Sequence, residues 1–440
     1  MPGAALIMDM GTGKTLTSIA VLGRAYLNRK IEKVLVVCPA SVVPVWEKEI
    51  MEYADYDTTI TTLEGNMAKR KEKLKQLVLG KGLKIAIINY EATWRMIEDL
   101  KKWQPDFIIC DESQRIKTHN AAQSKAMHTL GDMTKYKMII SGTPVQNNPL
   151  DIYSQYRFLD KSIFGSSYYS FRTRYARMGG FQGKQIIGFI NQDELIRKAH
   201  SIAFRITKEE ALDLPEQICS MRYCDLEPRA RKVYESIKRK NFMELEKGEI
   251  TTTNVLTRLL RLSQITGGFV NNDDGETQFV SEAKLKALEE IIEEVVQDNG
   301  KKLVIFARFI NEISAIRKLI ESKKIKYSWI AGEVKMNERG NMVEEFQNNP
   351  DVKIFIAQIQ TAGLGITLTA ADTSVFYSLD FNYANYSQAL ARLHRIGQKN
   401  NVNHIHLIAK DTRDEKIMGA LSRKEDIAKS VVDDWRKYFK

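Results

Sequence analysis

Residues 4–15 read AALIMDMGTGKT, and the reading of this stretch decides the fold. An apolar run of strand length, 4–8, leads into a turn with Gly11, Thr12 and Gly13, then Lys14 and Thr15, then a helical pattern. Glycines at those two places let backbone N–H groups approach phosphate oxygens. Lys14 can reach the β and γ phosphates, and Thr15 can ligate Mg²⁺. One departure stands out: Met8 occupies the position of the first glycine in the general pattern.

Similar apolar runs recur between helical patterns at residues 34–38, 85–89, 107–110 and 138–140. A second series follows at 303–306, 354–357, 375–379 and 404–409. Such runs read as buried parallel strands of an α/β fold, and two series imply two lobes. Between Pro144 and Val304 the pattern is aromatic, basic and helical with few clear strands, which reads as helical insertion. The expected division is a first lobe over 1–160, an insertion region and linker over 161–280, and a second lobe over 281–440. Within the insertion, residues 227–241 (EPRARKVYESIKRKN) carry Arg229, Arg231, Lys232, Lys238, Arg239 and Lys240 on one helix. That face is either simply solvated or tracks phosphates.

The 440 residues are enough for more than one core, and 43% hydrophobic against 28% charged residues is the balance of a folded globular chain. Lys and Arg number 66 against 55 Asp and Glu, a formal charge of +11 that favours a polyanionic partner. No apolar run reaches the roughly 18 residues needed to span a bilayer, and the N-terminus lacks a signal-peptide pattern. The expectation is an intracellular protein, cytoplasmic or nucleoid-associated, with no membrane partner. Cys38 and Cys110 lie in strand-like runs, while Cys219 and Cys224 have no second Cys or His pair nearby, which gives a zinc site little support.

Two further patterns carry chemistry. The strand-like run 107–110 ends in Asp111 and Glu112, and an acid pair at the carboxyl end of a parallel strand can hold Mg²⁺ and orient an attacking water. Residues 388–398, QALARLHRIGQ, place Arg392 and Arg395 one helical turn apart, so that both guanidinium groups are expected on one helix face. Arginines supplied from a second domain can stabilise charge on a transferring phosphoryl group.

Together these segments resemble the Swi/Snf-type branch of helicase superfamily two, in the expected order over nearly the whole chain. DMGTGKT (9–15) resembles its first motif, and VLVVCPASVVPVWEKEI (34–50) its second, with Pro39, Ser41, Trp46 and Glu49 in step. DESQRIK (111–117) resembles the Asp-Glu-x-His element, and SGTPVQNNPLDIYSQYRFL (141–159) the third motif. LVIFARF (303–309), GLGITLTAAD (363–372) and QALARLHRIGQ (388–398) resemble the fourth, fifth and sixth. The long stretch between the third and fourth motifs is itself a mark of that branch, and residues 414–434 resemble its brace helix.

The resemblance implies two RecA-like parallel-sheet lobes of the P-loop NTPase class with helical insertions, using ATP and Mg²⁺. By it, Gly11, Thr12, Gly13, Lys14, Thr15 and Gly365 would bind nucleotide, and Thr15 and Asp111 would hold magnesium. Glu112 would activate water beside Gln114, and Arg392 and Arg395 would reach across the cleft. Ser141, Gly142 and Thr143 would couple nucleotide state to the grip on nucleic acid, with Ser41 and residues 358–367 along its backbone. The implied activity is ATP-dependent translocation on double-stranded DNA by a monomer. The alternatives are a strand-separating DNA or RNA helicase and a non-hydrolysing DNA-binding subunit. Three departures from the family pattern bear on this. Gln114 replaces the usual His, Gln358 and Gln360 stand near the usual Ser and Thr, and the upstream adenine-reading element is expected to be absent.

Overall fold

A strand that is apolar at every position needs cover on both of its faces, and the chain provides it. The computed structural model describes residues 2–183, 185–247, 252–271, 276–334, 336–364 and 366–433. The first sheet uses strands β1 (Gly3–Met8), β2 (Lys33–Cys38), β3 (Thr58–Thr62), β4 (Leu83–Asn89), β5 (Phe107–Asp111) and β6 (Tyr136–Ser141). A hairpin of β7 (Ala176–Gly179) and β8 (Gln185–Phe189) stands apart, and β9 (Ala203–Ile206) returns to the sheet. The strand order is β3-β4-β2-β5-β6-β1-β9, and every pairing is parallel. Alternate positions feed opposite cores. Ala5, Ile7, Leu35, Val37 and Cys110 pack on one face, and Leu6, Met8, Val34, Val36 and Ile109 on the other.

The second sheet uses β10 (Gln217–Cys224), β13 (Leu303–Ala307), β14 (Lys326–Ile330), β15 (Val352–Gln358), β16 (Thr373–Phe376) and β17 (Val402–Ala409). Its order is β10-β17-β16-β13-β15-β14, again parallel throughout. A short antiparallel pair, β11 (Phe269–Asn271) with β12 (Thr277–Phe279), lies outside it. Leu303, Ile305, Ile354, Ile356 and Val375 share a core with the helices Ala283–Ile292 and Ile310–Ser322. On another patch of the sheet the rings of Phe306, Phe376 and His406 stack.

The chain divides between Leu212 and Asp213 into two compact units, and the first unit also takes in Lys424–Lys440. This differs from a three-part division with a separate insertion. Residues 161–212 join the first unit because β9 pairs with β1, and residues from 213 join the second because β10 pairs with β17. The stretch between Pro144 and Val304 therefore holds strands as well as helices. Those strands are short or half-exposed, so they lack the continuous apolar signature of a central strand. Among the described residues no helix is long and apolar enough to cross a membrane.

Candidate active site

β5, β6 and β1 lie side by side and parallel, so their carboxyl ends open on one edge of the first sheet. From β1 the chain enters a loop in which Gly11 (φ 87°) and Gly13 (φ 86°) take the left-handed backbone that favours glycine. The helix Lys14–Leu27 starts directly after it. Lys14 Nζ donates to the carbonyls of Met8 and Asp9, at 3.0 Å each, and Thr12 Oγ1 donates to the Asp9 carbonyl at 2.8 Å. The loop thus wraps around its own lysine. Thr15 follows in the first helical turn and is half-buried.

At the end of β5 the Asp111 carboxylate is buried. Its Oδ2 accepts from Trp46 Nε1 at 2.9 Å and its Oδ1 from the Glu112 N–H at 2.9 Å. Burial and the neighbouring Glu112 push its carboxyl up to about 6, while the Trp46 hydrogen bond and the Lys14 charge pull the other way. Tyr90, at the start of the helix after β4, donates its hydroxyl to the Asp111 carbonyl at 2.7 Å.

A polar relay then links β5 to β6. The Gln114 side-chain amide donates to Glu112 Oε2, and Ser141 Oγ donates to Gln114 Oε1 at 2.7 Å. The Thr143 N–H donates to Ser141 Oγ at 3.0 Å. A Cβ on Gly142 would lie 3.3 Å from the Met8 carbonyl, so the residue between Ser141 and Thr143 passes close to the loop after β1. Ser113 adds a second tie: it donates to Gln155 Oε1 at 2.7 Å, and Gln155 Nε2 donates to the Pro144 carbonyl at 2.8 Å.

Gly11, Thr12, Gly13, Lys14, Thr15, Asp111, Glu112 and Gln114 all fall in the first unit, at the ends of β1 and β5. Arg392 and Arg395 belong to the second unit, and Gly365 lies outside the described residues. The expectation that the two arginines share a helix face is corrected here. The helix Tyr383–Leu390 ends before them, and both stand in the turns that follow. Gln398 explains the ending: its amide donates to the carbonyls of Ala371 at 2.9 Å and of Thr369 and Leu393 at 3.4 Å, drawing the chain into the loop before β16. Arg392 is buried and Arg395 half-buried, with Arg395 Nη1 donating to the Ile366 carbonyl at 3.3 Å. Gln358 joins strand ends within the second unit, donating to the Arg308 carbonyl at 3.2 Å and accepting from the Gly332 N–H at 3.0 Å. Gln360 is exposed, and Ser41 is half-buried in the turn Ala40–Val42.

Sequence reading did not single out Tyr90 or Arg205. Arg205, on β9, donates to Asp9 Oδ1 at 2.6 Å. Its one signal is a charge set between Phe204 and Ile206 in a strand-length run, where a buried cation needs a partner.

The chain matches two family descriptions: SNF2-related domain over residues 1–269, and helicase conserved C-terminal domain over residues 283–397. It is 25% identical over 444 residues to an uncharacterized ATP-dependent helicase of Mycoplasma genitalium, covering 100% of this chain and 41% of that protein. It is 27% identical to the ISWI chromatin-remodeling complex ATPase of Saccharomyces cerevisiae, covering 98% of this chain and 39% of that one. The chain thus spans about two fifths of the length of these relatives. Among solved structures, the Sulfolobus solfataricus SWI2/SNF2 ATPase core in complex with dsDNA is 29% identical, with 98% of this chain and 89% of that chain covered and a TM-score of 0.43.

Proposed function

The chain belongs to the SNF2-related family, and from that membership we propose that it hydrolyses ATP to move along double-stranded DNA without parting the strands. The observation that carries this reading is the relay at the ends of neighbouring strands. A glycine loop with Lys14, the acid pair Asp111 and Glu112, and the Ser141-Gly142-Thr143 segment meet within one unit. A change at Glu112 can therefore move the residues that leave β6.

In this reading the N–H groups and Lys14 of the loop hold the triphosphate, and Thr15 and Asp111 would hold Mg²⁺. The residues fit such an ion. A carboxyl raised to about 6 by burial and by the Glu112 charge gains from a cation, and Mg²⁺ is commonly bound by one or two carboxylates together with substrate phosphates. Bound there, the ion would neutralise charge developing between the β and γ phosphates. Glu112 accepts from Gln114, which orients its carboxylate to take a proton from water. Arg392 and Arg395 are proposed to stabilise charge on the transferring group, and Ser41 and residues 358–367 to follow the DNA backbone.

The test pairs hydrolysis with movement. Duplex DNA is expected to stimulate hydrolysis more than single-stranded DNA or RNA, and ATP should drive displacement of a third strand from a triplex. Efficient unwinding of a plain forked duplex without triplex displacement would replace this reading with that of a strand-separating helicase. DNA binding without any hydrolysis would replace it with that of a non-catalytic subunit.

A further inference from the structure

Asp9 sets up an electrostatic conflict. It stands between the last residue of β1 and the two glycines, in the loop assigned above to phosphate, and a carboxylate beside a bound triphosphate repels it. The structure answers with groups from β9 and from the short helix Lys208–Ala211 that follows it. Arg205 donates to Asp9 Oδ1 at 2.6 Å, and the Lys208 N–H donates to Asp9 Oδ2 at 3.1 Å, so both carboxylate oxygens are engaged. Arg205 also donates to the Ile206 carbonyl at 2.9 Å and to the Ile7 carbonyl at 3.4 Å, and its side chain is only 6% exposed against 26% for Asp9.

The register makes this contact specific. β9 runs parallel to β1 with Arg205 opposite Ile7 and Ile206 opposite Met8, and the Asp9 N–H continues the pairing by donating to the Ile206 carbonyl at 3.2 Å. β9 flanks β1 on the side away from β6 and β5. The Asp9 carboxylate is therefore held on the opposite side of the loop from Ser141 and the acid pair. The Asp9 carbonyl, meanwhile, accepts from Lys14 Nζ and Thr12 Oγ1.

We propose that Arg205 is a positioning residue for the triphosphate: it neutralises Asp9, keeps that carboxylate on β9, and so leaves the loop N–H groups and Lys14 to the phosphates. The proposal rests on the phosphate-loop reading above. It makes a prediction that a purely structural ion pair does not: once Asp9 is uncharged, Arg205 is no longer needed for nucleotide affinity.

The experiment titrates a fluorescent ATP analogue with magnesium into the wild-type chain, Lys14→Ala, Arg205→Ala, Arg205→Lys, Asp9→Asn and the double variant Asp9→Asn/Arg205→Ala, with turnover and thermal melting measured alongside. Arg205→Ala should weaken affinity by about tenfold or more, with a smaller change in kcat, because it leaves the Asp9 charge without a cation beside the phosphates. Arg205→Lys should recover most of the loss, and the double variant should return to within about threefold of wild type. Wild-type affinity in Arg205→Ala overturns the proposal, as does a double variant as weak as Arg205→Ala. Should Arg205→Ala fail to fold, Asp9→Asn decides: binding equal to or tighter than wild type supports the proposal, and weaker binding overturns it. Wild-type binding that is lost in Lys14→Ala upholds the phosphate-loop reading whatever Arg205 does. A wild-type chain that binds no nucleotide fails that reading and this proposal with it.

Discussion

Glu112 takes φ 50° and ψ 53°, a left-handed conformation that a residue with a β-carbon adopts at a cost of order 1–3 kcal/mol. The turn lifts its carboxylate off the axis of β5 and lets the Gln114 amide meet it, while the same amide reaches Ser141. Gln114 stands where the family usually has His. An amide has a donor and an acceptor at fixed ends and does not titrate, so Gln114 itself keeps one sense of donation where a His would change with its protonation. Gln114→Ala is expected to lower turnover by roughly 10- to 100-fold through loss of orientation at Glu112, with nucleotide affinity changed by less than about threefold. Steady-state hydrolysis beside nucleotide titration reads the split. Equal losses in both would remove the orienting role.

The helix Ile310–Ser322 docks on the second sheet through its first turn. Glu312 Oε2 accepts from the N–H groups of Arg308 and Phe309 and from Ser378 Oγ, while Oε1 finds no hydrogen-bond partner among the described residues. Gly267 leaves room for that oxygen, since a Cβ there would lie 2.1 Å from it. Burial pushes the Glu312 carboxyl up to about 7, against the pull of its hydrogen bonds and of Lys284. As pH rises from 4.5, the unfolded chain ionises first and the folded side chain keeps its proton to about 7. Stability of the second unit therefore falls across that window and levels off above it, by an amount on the order of 3 kcal/mol. Glu312→Gln should flatten this slope and melt higher than the parent at a pH above the window. Thermal melting across pH checks it, and an unchanged slope would assign the titration to another group.

For the whole molecule the formal charge of +11 is the property a DNA duplex would feel first. Part of the basic helix Pro228–Lys247 serves the fold instead. Arg231 donates to the carbonyls of Lys410 and Asp411, and Lys238 pairs with Glu235 at 3.3 Å. Arg229, Lys232 and Arg239 are exposed, while the Lys240 side chain lies outside the described residues. If grip comes from phosphate contacts, the logarithm of apparent duplex affinity should fall linearly with the logarithm of salt concentration and hardly depend on base sequence. Fluorescence anisotropy over a salt series on two unrelated duplexes measures both. Affinity that ignores salt, or that separates the two duplexes by more than about tenfold, would point to base recognition instead.

By itself the sequence determined what is local. Strands β1, β2, β4, β5, β6, β13 and β15 could be read because a parallel strand covered on both faces is apolar at every position. The glycine loop could be read because Gly11, Gly13, Lys14 and Thr15 act through the backbone geometry of five consecutive residues. The tertiary structure alone decided what joins distant segments. β3 and β14 lie at sheet edges with half-exposed positions, and β9 and β10 lengthen sheets whose other strands lie far away in the chain. Trp46 meets Asp111 across 65 residues and Arg205 meets Asp9 across 196. The turns that end the helix before Arg392 depend on Gln398 finding carbonyls up to 29 residues earlier. Periodicity records only how a few neighbouring residues repeat along the backbone, and no local repeat can say which strand will lie beside which.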